Sequence, residues 1–171
     1  MQNVKLSDLF ETEQKQKELP GTYVGVKFDD QTNAAILKYI ADNNIPNGVP
    51  EAKLHTTVLY SRVPCPDITV DGVLPTPITG TPTGLDVWGD GKRCLVMTYD
   101  CPELVSRHEK YREEHGASHD FPDYQPHVTL SYDIGDMDIS SLPEVAVAIP
   151  EVVINQDYIE DLDLDWSSKL K

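Results

Sequence analysis

Two histidines, each followed at the second position by a threonine, are the residues of this sequence best suited to chemistry. They open the segments HTTVLYS, from His55, and HVTLSYD, from His127, which share the pattern His-x-Thr-aliphatic-x-Tyr. Side chains alternate along a strand, so His55 and Thr57 share one face, as do His127 and Thr129. Two imidazoles can supply one proton acceptor and one proton donor near neutral pH, and threonine hydroxyls can donate hydrogen bonds to phosphate oxygens. The pattern therefore favours phosphodiester cleavage.

The same alternation divides the remaining side chains of both segments. It predicts that Ser131 lies on the open face beside His127 and Thr129. It predicts core positions for Thr56, Val58, Tyr60, Val128, Leu130 and Tyr132. One His-x-Thr is a weak signal, but two copies in matching positions indicate one shared site.

Each motif closes a repeated unit of strand, helix, linker and strand. β-branched and aromatic content predicts the strands, and apolar periodicity with Pro and Gly boundaries predicts the helices. The predicted elements are strands at 21–28 and 54–61 around a helix at 29–44, and strands at 92–100 and 127–133 around a helix from Pro102 to Gly116. Approximate two-fold symmetry between the units would bring the two motifs together around one substrate group.

The other segments are less regular. A short helix is predicted at 7–15, short strands at 67–73 and 84–89, and one or two last strands within 145–162. We expect one domain over residues 1–171. Its lobes are 21–61 with the C-terminal strands and 91–133, and the segment 62–90 connects them and could cover the cleft between them.

Metal binding is disfavoured by the residue types. Threonine at the second motif position is a poor ligand, and Gly116 interrupts the helix that His115 and His119 would need to form a metal pair. These two histidines could instead line the mouth of the cleft, whereas His108 falls on the apolar stripe of its helix and is interpreted as a packing residue. The three cysteines are expected to be free thiols.

Composition limits the partners. The formal net charge of -15 opposes binding of long nucleic acid, although a few placed groups can still hold a small anion. No apolar run is long enough to span a membrane, and the first 20 residues lack the apolar core of a signal peptide. We therefore expect a protein of the cytoplasm that does not bind membranes.

The doubled motif resembles that of the 2H phosphoesterase superfamily, which has two His-x-Thr/Ser motifs on symmetric lobes. The resemblance extends from about Gly21 to Leu162. It implies an α+β, bilobal fold with two pseudo-symmetric, βαβ-containing antiparallel lobes around a V-shaped cleft. It also implies catalysis at phosphodiesters or 2',3'-cyclic phosphates without a metal or other cofactor.

More narrowly, SHDFPDYQPHVTLSYD and the acidic last strand are similar to those of bacteriophage anti-CBASS phosphodiesterases. That resemblance implies cleavage of cyclic di- or trinucleotides in the host cytoplasm, against bacterial CBASS defence. It makes the two motif histidines the acid–base pair and the two motif threonines the phosphate clamps. Tyr23 and Trp88 would stack on bases, and Glu160, or alternatively Asp157, would contact a base amine.

Two other functions fit the same residues. The same site could act on an RNA end or a 2',3'-cyclic phosphate, although the chain has few Lys and Arg to hold RNA. The protein could also sequester cyclic nucleotides without cleaving them. The sequence does not indicate which histidine is the base.

Overall fold

The structure is a computed structural model that describes residues 19–89, 91–119 and 123–162, so the helix predicted at 7–15 lies outside it. Within the described residues, six antiparallel strands form one sheet, accompanied by three α-helices. In chain order the elements are β1 (Thr22–Phe28), α1 (Asp30–Asp42), β2 (Thr56–Ser61), β3 (Val73–Trp88), β4 (Cys94–Asp100), α2 (Pro102–His115), β5 (His127–Ser131), α3 (Val145–Ala148) and β6 (Val152–Asp161). The predicted α+β class with antiparallel strands is confirmed.

Both long helices begin and end where local chemistry dictates. The Asp29 side chain accepts a hydrogen bond from the Thr32 amide at 2.8 Å, which caps α1. In α2, Pro102 occupies the first turn, and Gly116 ends the helix in the left-handed region at φ 64°. His108 is buried on α2, as its place on the apolar stripe predicts.

The two halves of the sheet are arranged symmetrically about its centre. The strand order reads β2-β1-β6-β3-β4-β5, so β2, β1 and β6 form a first half and β5, β4 and β3 form a second half in mirrored order. The two halves join where β3 pairs with β6. Most of the predicted connecting segment, from Val73 onward, is thus a 16-residue strand of the sheet, and a covering role for residues 62–72 stays a prediction.

The sheet curves so that its two edge strands meet where the motifs begin. Thr56 Oγ1 donates to the His127 carbonyl at 2.8 Å, and the Tyr99 hydroxyl donates to Thr56 Oγ1 at 2.7 Å. Gly48, ahead of β2, also forms a β-bridge with Ser131 in β5. The motifs lie at opposite ends of the strand order but are adjacent in space.

One strand prediction is wrong. Residues 67–73 are not a strand before Val73, because Gly72 adopts φ 78° and its amide donates to the Asp157 side chain. Of the one or two strands predicted within 145–162 the structure has one, β6, and residues 145–148 are the short helix α3, in which Val145 is buried while Val147 is 78% exposed. In a strand these two side chains would share a face.

The core lies on the helix side of the sheet. It contains Val24 and Val26 of β1, Leu95 and Met97 of β4, and Ile36 of α1. The side of the sheet opposite the helices is therefore open, and the motif histidines and threonines lie on it. Among the described residues, no helix is both long and apolar enough to cross a membrane.

Candidate active site

A β-bulge occurs at the same place in both motifs. In the first, Gly25 pairs with Thr57 but Val24 pairs with Leu59, so Val58 is the extra residue. In the second, Val96 pairs with Thr129 and Leu95 pairs with Ser131. Each bulge therefore falls one residue after the motif threonine, where it reverses the faces of the residues that follow.

The registers define one open face of the sheet, which carries both motifs. Residues that pair directly across antiparallel strands share a face. The side chains of the open face include Tyr23, Thr57, Tyr60, Tyr158 and Glu160 in the first half and Asp86, Trp88, Cys94, Val96, Thr98, His127 and Thr129 in the second. His55 immediately precedes β2 and is half-buried like Thr57. The structure thus brings the four motif residues to one side of the sheet.

The bulges correct two predictions from simple alternation. Tyr60, predicted as core, is half-buried on the open face, with its ring centroid 6.4 Å from that of Tyr23. Ser131, predicted on the open face, is buried, and its hydroxyl donates to the Pro46 carbonyl at 2.5 Å. Tyr132 is only partly buried, although it does pack against the core.

Both motif histidines are anchored in the same way. The Nδ1 atom of His55 lies 2.8 Å from the Lys53 carbonyl, and that of His127 lies 2.9 Å from the Gln125 carbonyl. A carbonyl can only accept, so Nδ1 carries the proton and the lone pair of the neutral ring is on Nε2. Two equivalent nitrogens are thereby prepared to take or give a proton.

The electrostatic surroundings of the two rings differ. Burial lowers the pKa of His55, against which the Lys53 hydrogen bond and the Glu160 carboxylate raise it. Burial also lowers the pKa of His127, and the charge of His55 lowers it further. Burial therefore favours the neutral form of both rings, and a charge on His55 opposes protonation of His127.

Tyr23 contacts the first motif directly. Its hydroxyl is 2.6 Å from Thr57 Oγ1, and its ring makes an edge contact with His55 at 6.2 Å between centroids. Burial raises the pKa of the Tyr23 phenol to about 12, so it stays protonated and can donate to Thr57. The structure thus gives Tyr23 a contact that sequence reasoning did not foresee, and its stacking on a base stays a prediction.

Trp88 and Glu160 occupy equivalent places in the two halves. Glu160 pairs with Tyr23, and Trp88 pairs with Cys94, the counterpart of Tyr23. The Trp88 ring lies 4.4 Å from the His127 ring, while Glu160 is exposed. Trp88 therefore borders the second motif, whereas Glu160 lies beside Tyr23, which contacts the first.

Asp157, the alternative to Glu160, lies on the other side of β6. It is 2% exposed, accepts from the Gly72 amide at 2.7 Å and lies 3.4 Å from Arg107 Nη1. This carboxylate supports the loop before β3 and does not face the site.

Two further residues of the site were missed from the sequence. Tyr158 lies over Gly25, where a Cβ atom would collide with its ring, and its centroid is 6.1 Å from that of Tyr23. Lys27 approaches the Tyr158 ring at 5.9 Å and donates to the Ala52 carbonyl. Only the pairing of β1 with β6 places them here, and no local signal marks that pairing.

The remaining histidines separate into different surroundings. His119 Nδ1 accepts from the Tyr60 amide at 3.2 Å, whereas His115 lines a groove of about 430 Å³ beside α2 that contains neither motif histidine. Among the described residues, no group of three or more His, Cys, Asp or Glu side chains could hold a metal ion. The three cysteines are free thiols, as expected.

Fold and site together define an α+β protein with a paired-histidine site on one antiparallel sheet. The chain belongs to the family described as anti-CBASS protein Acb1, whose sequence model matches residues 20–169. Proteins of that description from three phages are similar to it. The Acinetobacter phage Ac42 protein is 46% identical over 85% of this chain and 93% of its own length. The Enterobacteria phage T4 protein is 40% identical over 88% of this chain and 94% of its own length. The Vibrio phage KVP40 protein is 38% identical over 95% of this chain and 97% of its own length.

Proposed function

We propose that this protein is a metal-independent phosphodiesterase that opens small cyclic oligonucleotides of CBASS defence to linear products in the host cytoplasm. The observation that carries the proposal is the identical anchoring of His55 and His127 on one face, with Nε2 available in both. Membership of a family described as anti-CBASS supports the target. In this proposal the two halves of the sheet are the lobes of a 2H phosphoesterase fold, and the open face lines its cleft.

The proposed reaction needs only the groups on the open face. A ribose 2'-hydroxyl of the substrate attacks its adjacent 3'-linked phosphorus, so a P–O2' bond forms as the P–O5' bond breaks. One neutral imidazole takes the proton from O2', and the other, protonated, gives one to the leaving O5'. Thr57 and Thr129 donate hydrogen bonds to the non-bridging oxygens, where negative charge must be stabilised in the transition state.

The surroundings of the motifs suit a small nucleotide better than a long strand. Tyr23 and Trp88 offer aromatic surface beside the two histidines, and stacking a base on such a ring contributes about 1–3 kcal/mol. The exposed Glu160 carboxylate can accept from an exocyclic amine. The net charge of -15 disfavours the many phosphate contacts of a polymer.

The test is a panel of cyclic di- and trinucleotides incubated with the protein in EDTA, with products identified by mass spectrometry. Linear products are expected from the wild type, and His127→Ala should bind the same ligands without cleaving them. Absence of turnover on every member of the panel would refute the proposal.

Two alternative functions give different results in the same experiment. A sequestering protein would bind the ligands but leave them intact in the wild type. An RNA or 2',3'-cyclic phosphodiesterase would cleave a short linear RNA faster than a cyclic dinucleotide. The relative rates on these two substrates therefore identify the substrate class.

A further inference from the structure

The two motif strands are both edge strands, so their outward backbone groups need partners from elsewhere. The turn after α1 supplies them for β5. The Val49 amide donates to the Leu130 carbonyl at 2.9 Å, and the Tyr132 amide donates to the Asn47 carbonyl at 3.4 Å. At the second motif, the outward backbone groups of β5 are therefore hydrogen-bonded to other backbone groups.

The matching groups of β2 bond to side chains instead. The Val58 carbonyl, equivalent to that of Leu130, accepts from His108 Nδ1 at 2.7 Å. The Tyr60 amide, equivalent to that of Tyr132, donates to His119 Nδ1 at 3.2 Å. In addition, the Thr57 carbonyl accepts from the Tyr124 hydroxyl at 2.7 Å. These three bonds surround the bulge at Val58.

His108, His119 and Tyr124 pack as one unit, which we call the edge cluster. The His108 and Tyr124 rings stack at 4.3 Å with an interplanar angle of 9°. The His119 ring meets His108 edge-on at 4.5 Å and Tyr124 at 5.8 Å. Because His108 is 3% exposed, the cluster joins α2 and the linker before β5 to the first motif through a buried contact.

We propose that the edge cluster is a positioning site that holds the β2 bulge, and through it His55 and Thr57, in their reactive geometry. The inference rests on the proposed phosphodiesterase function. A shift of the bulge by a fraction of an ångström redirects Thr57 Oγ1, and small misplacements of reacting groups are costly to catalysis. The hydrogen bonds of the cluster reach β2 through its backbone groups and not through the side chains of His55 or Thr57, so its members act as positioning residues.

The two histidines of the cluster must be opposite tautomers. His108 Nδ1 faces a carbonyl and carries a proton, whereas His119 Nδ1 faces the N–H of Tyr60 and must carry a lone pair. Asparagine can reproduce either role, because its amide group lies close to the position of Nδ1 and offers both a donor and an acceptor. Leucine keeps bulk at the site but can do neither.

The test compares Tyr124→Phe, His119→Leu and His119→Asn with the wild type on a cyclic dinucleotide. Loss of one positioning hydrogen bond is expected to lower kcat about 3- to 10-fold in Tyr124→Phe and at least as much in His119→Leu, with KM unchanged. His119→Asn should recover most of that loss. Ile149→Val, a core substitution just before β6, is the control that lowers stability without lowering kcat.

The outcomes separate the two proposals. If the wild type turns over but Tyr124→Phe and His119→Leu keep its kcat, or if asparagine does no better than leucine, the positioning role is refuted. If the wild type does not turn over, the proposed function fails, and the ligand-free NMR spectrum still tests the cluster. His119→Leu should then shift the amide signals of Thr57 and Tyr60 but leave those of Thr129 and Tyr132 in place; unchanged β2 signals would refute it.

Discussion

The first and second motifs have the same backbone path and different neighbours. Each has a half-buried histidine bonded through Nδ1 to the carbonyl two residues earlier, and each strand bulges one residue after the threonine. Around them, however, the equivalent positions carry different side chains. The pairs, first half before second, are Tyr23 and Cys94, Gly25 and Val96, Tyr158 and Asp86, and Glu160 and Trp88.

The groups proposed to do the chemistry are present in both halves, whereas the side chains around them differ between the halves. The acid–base and phosphate-binding groups are duplicated, which suits a reaction that needs one proton donor and one acceptor. The surroundings are not duplicated, so the two rings titrate in different fields and Thr57 has a phenol partner. Substitutions that remove a shared group, or a group present in one half only, measure how much each contributes.

The largest effect is expected from the duplicated histidines. His55→Ala and His127→Ala should each lower the single-turnover rate about 10²- to 10⁴-fold, because each removes one of two coupled proton transfers. The double variant should fall little further, since groups that act as a unit are not additive. Ligand binding by each variant serves as the control. Retention of near wild-type rate by either single variant would show that only one half is catalytic.

Strands β2 and β5 show which side-chain orientations can be predicted from the sequence alone. Alternation placed His55 with Thr57 and His127 with Thr129, because the bulge comes only after each threonine. Beyond the bulge the same rule failed at Tyr60 and Ser131. A bulge depends on how the partner strand pairs, and that is not encoded in a local pattern.

Long-range pairing also explains the residues that sequence reasoning missed. Tyr158 and Lys27 join the site through the pairing of β1 with β6, and the edge cluster arises because the linker after α2 folds against β2. The one strand found within 145–162 begins only at Val152, because Val145 and Ile149 are both buried one helical turn apart and residues 145–148 form α3.

Substitution of Gly25, whose counterpart in the second half is Val96, tests by its effect on stability how closely Tyr158 packs over β1. In Gly25→Ala the new methyl would collide with the Tyr158 ring, so we expect unfolding free energy to fall by about 1–3 kcal/mol. Gly84→Ala is the matched control, because a Cβ there has open space around it. Denaturant unfolding of both variants gives the comparison. Equal losses would mean that the position of Tyr158 does not restrict residue 25.

Tyr23→Phe makes the first motif more like the second by removing the phenol partner of Thr57. Losing that hydrogen bond should lower kcat about 2- to 10-fold. Since the pKa of Tyr23 is raised to about 12, the loss should be constant from pH 5 to 9. Thr57→Val and Thr129→Val provide the scale, and the Tyr23→Phe loss should be smaller than either. A rate equal to the wild type would mean that the phenol does not orient Thr57.

Glu160→Gln is expected to have the smallest effect, and it can identify the acid and the base. The Glu160 carboxylate raises the pKa of His55, so the substitution should lower that pKa, by an amount that shrinks with added salt because Glu160 is exposed. Glu160 does not act on the pKa of His127, so the titration of His127 should move less. NMR titration of both rings measures this directly, with Asp161→Asn on the same strand as the control.

The pH–rate profile of Glu160→Gln then shows whether His55 is the general acid or the general base. A general acid must be protonated, so activity is lost as pH rises through its pKa, whereas a general base must be neutral and activity is lost as pH falls through its pKa. If His55 is the acid, Glu160→Gln should move the alkaline limb of kcat/KM to lower pH. If His55 is the base, the acidic limb should move to lower pH instead. A profile in which neither limb moves while the NMR pKa of His55 does would remove His55 from the proton transfers and overturn the symmetric assignment of the two motifs.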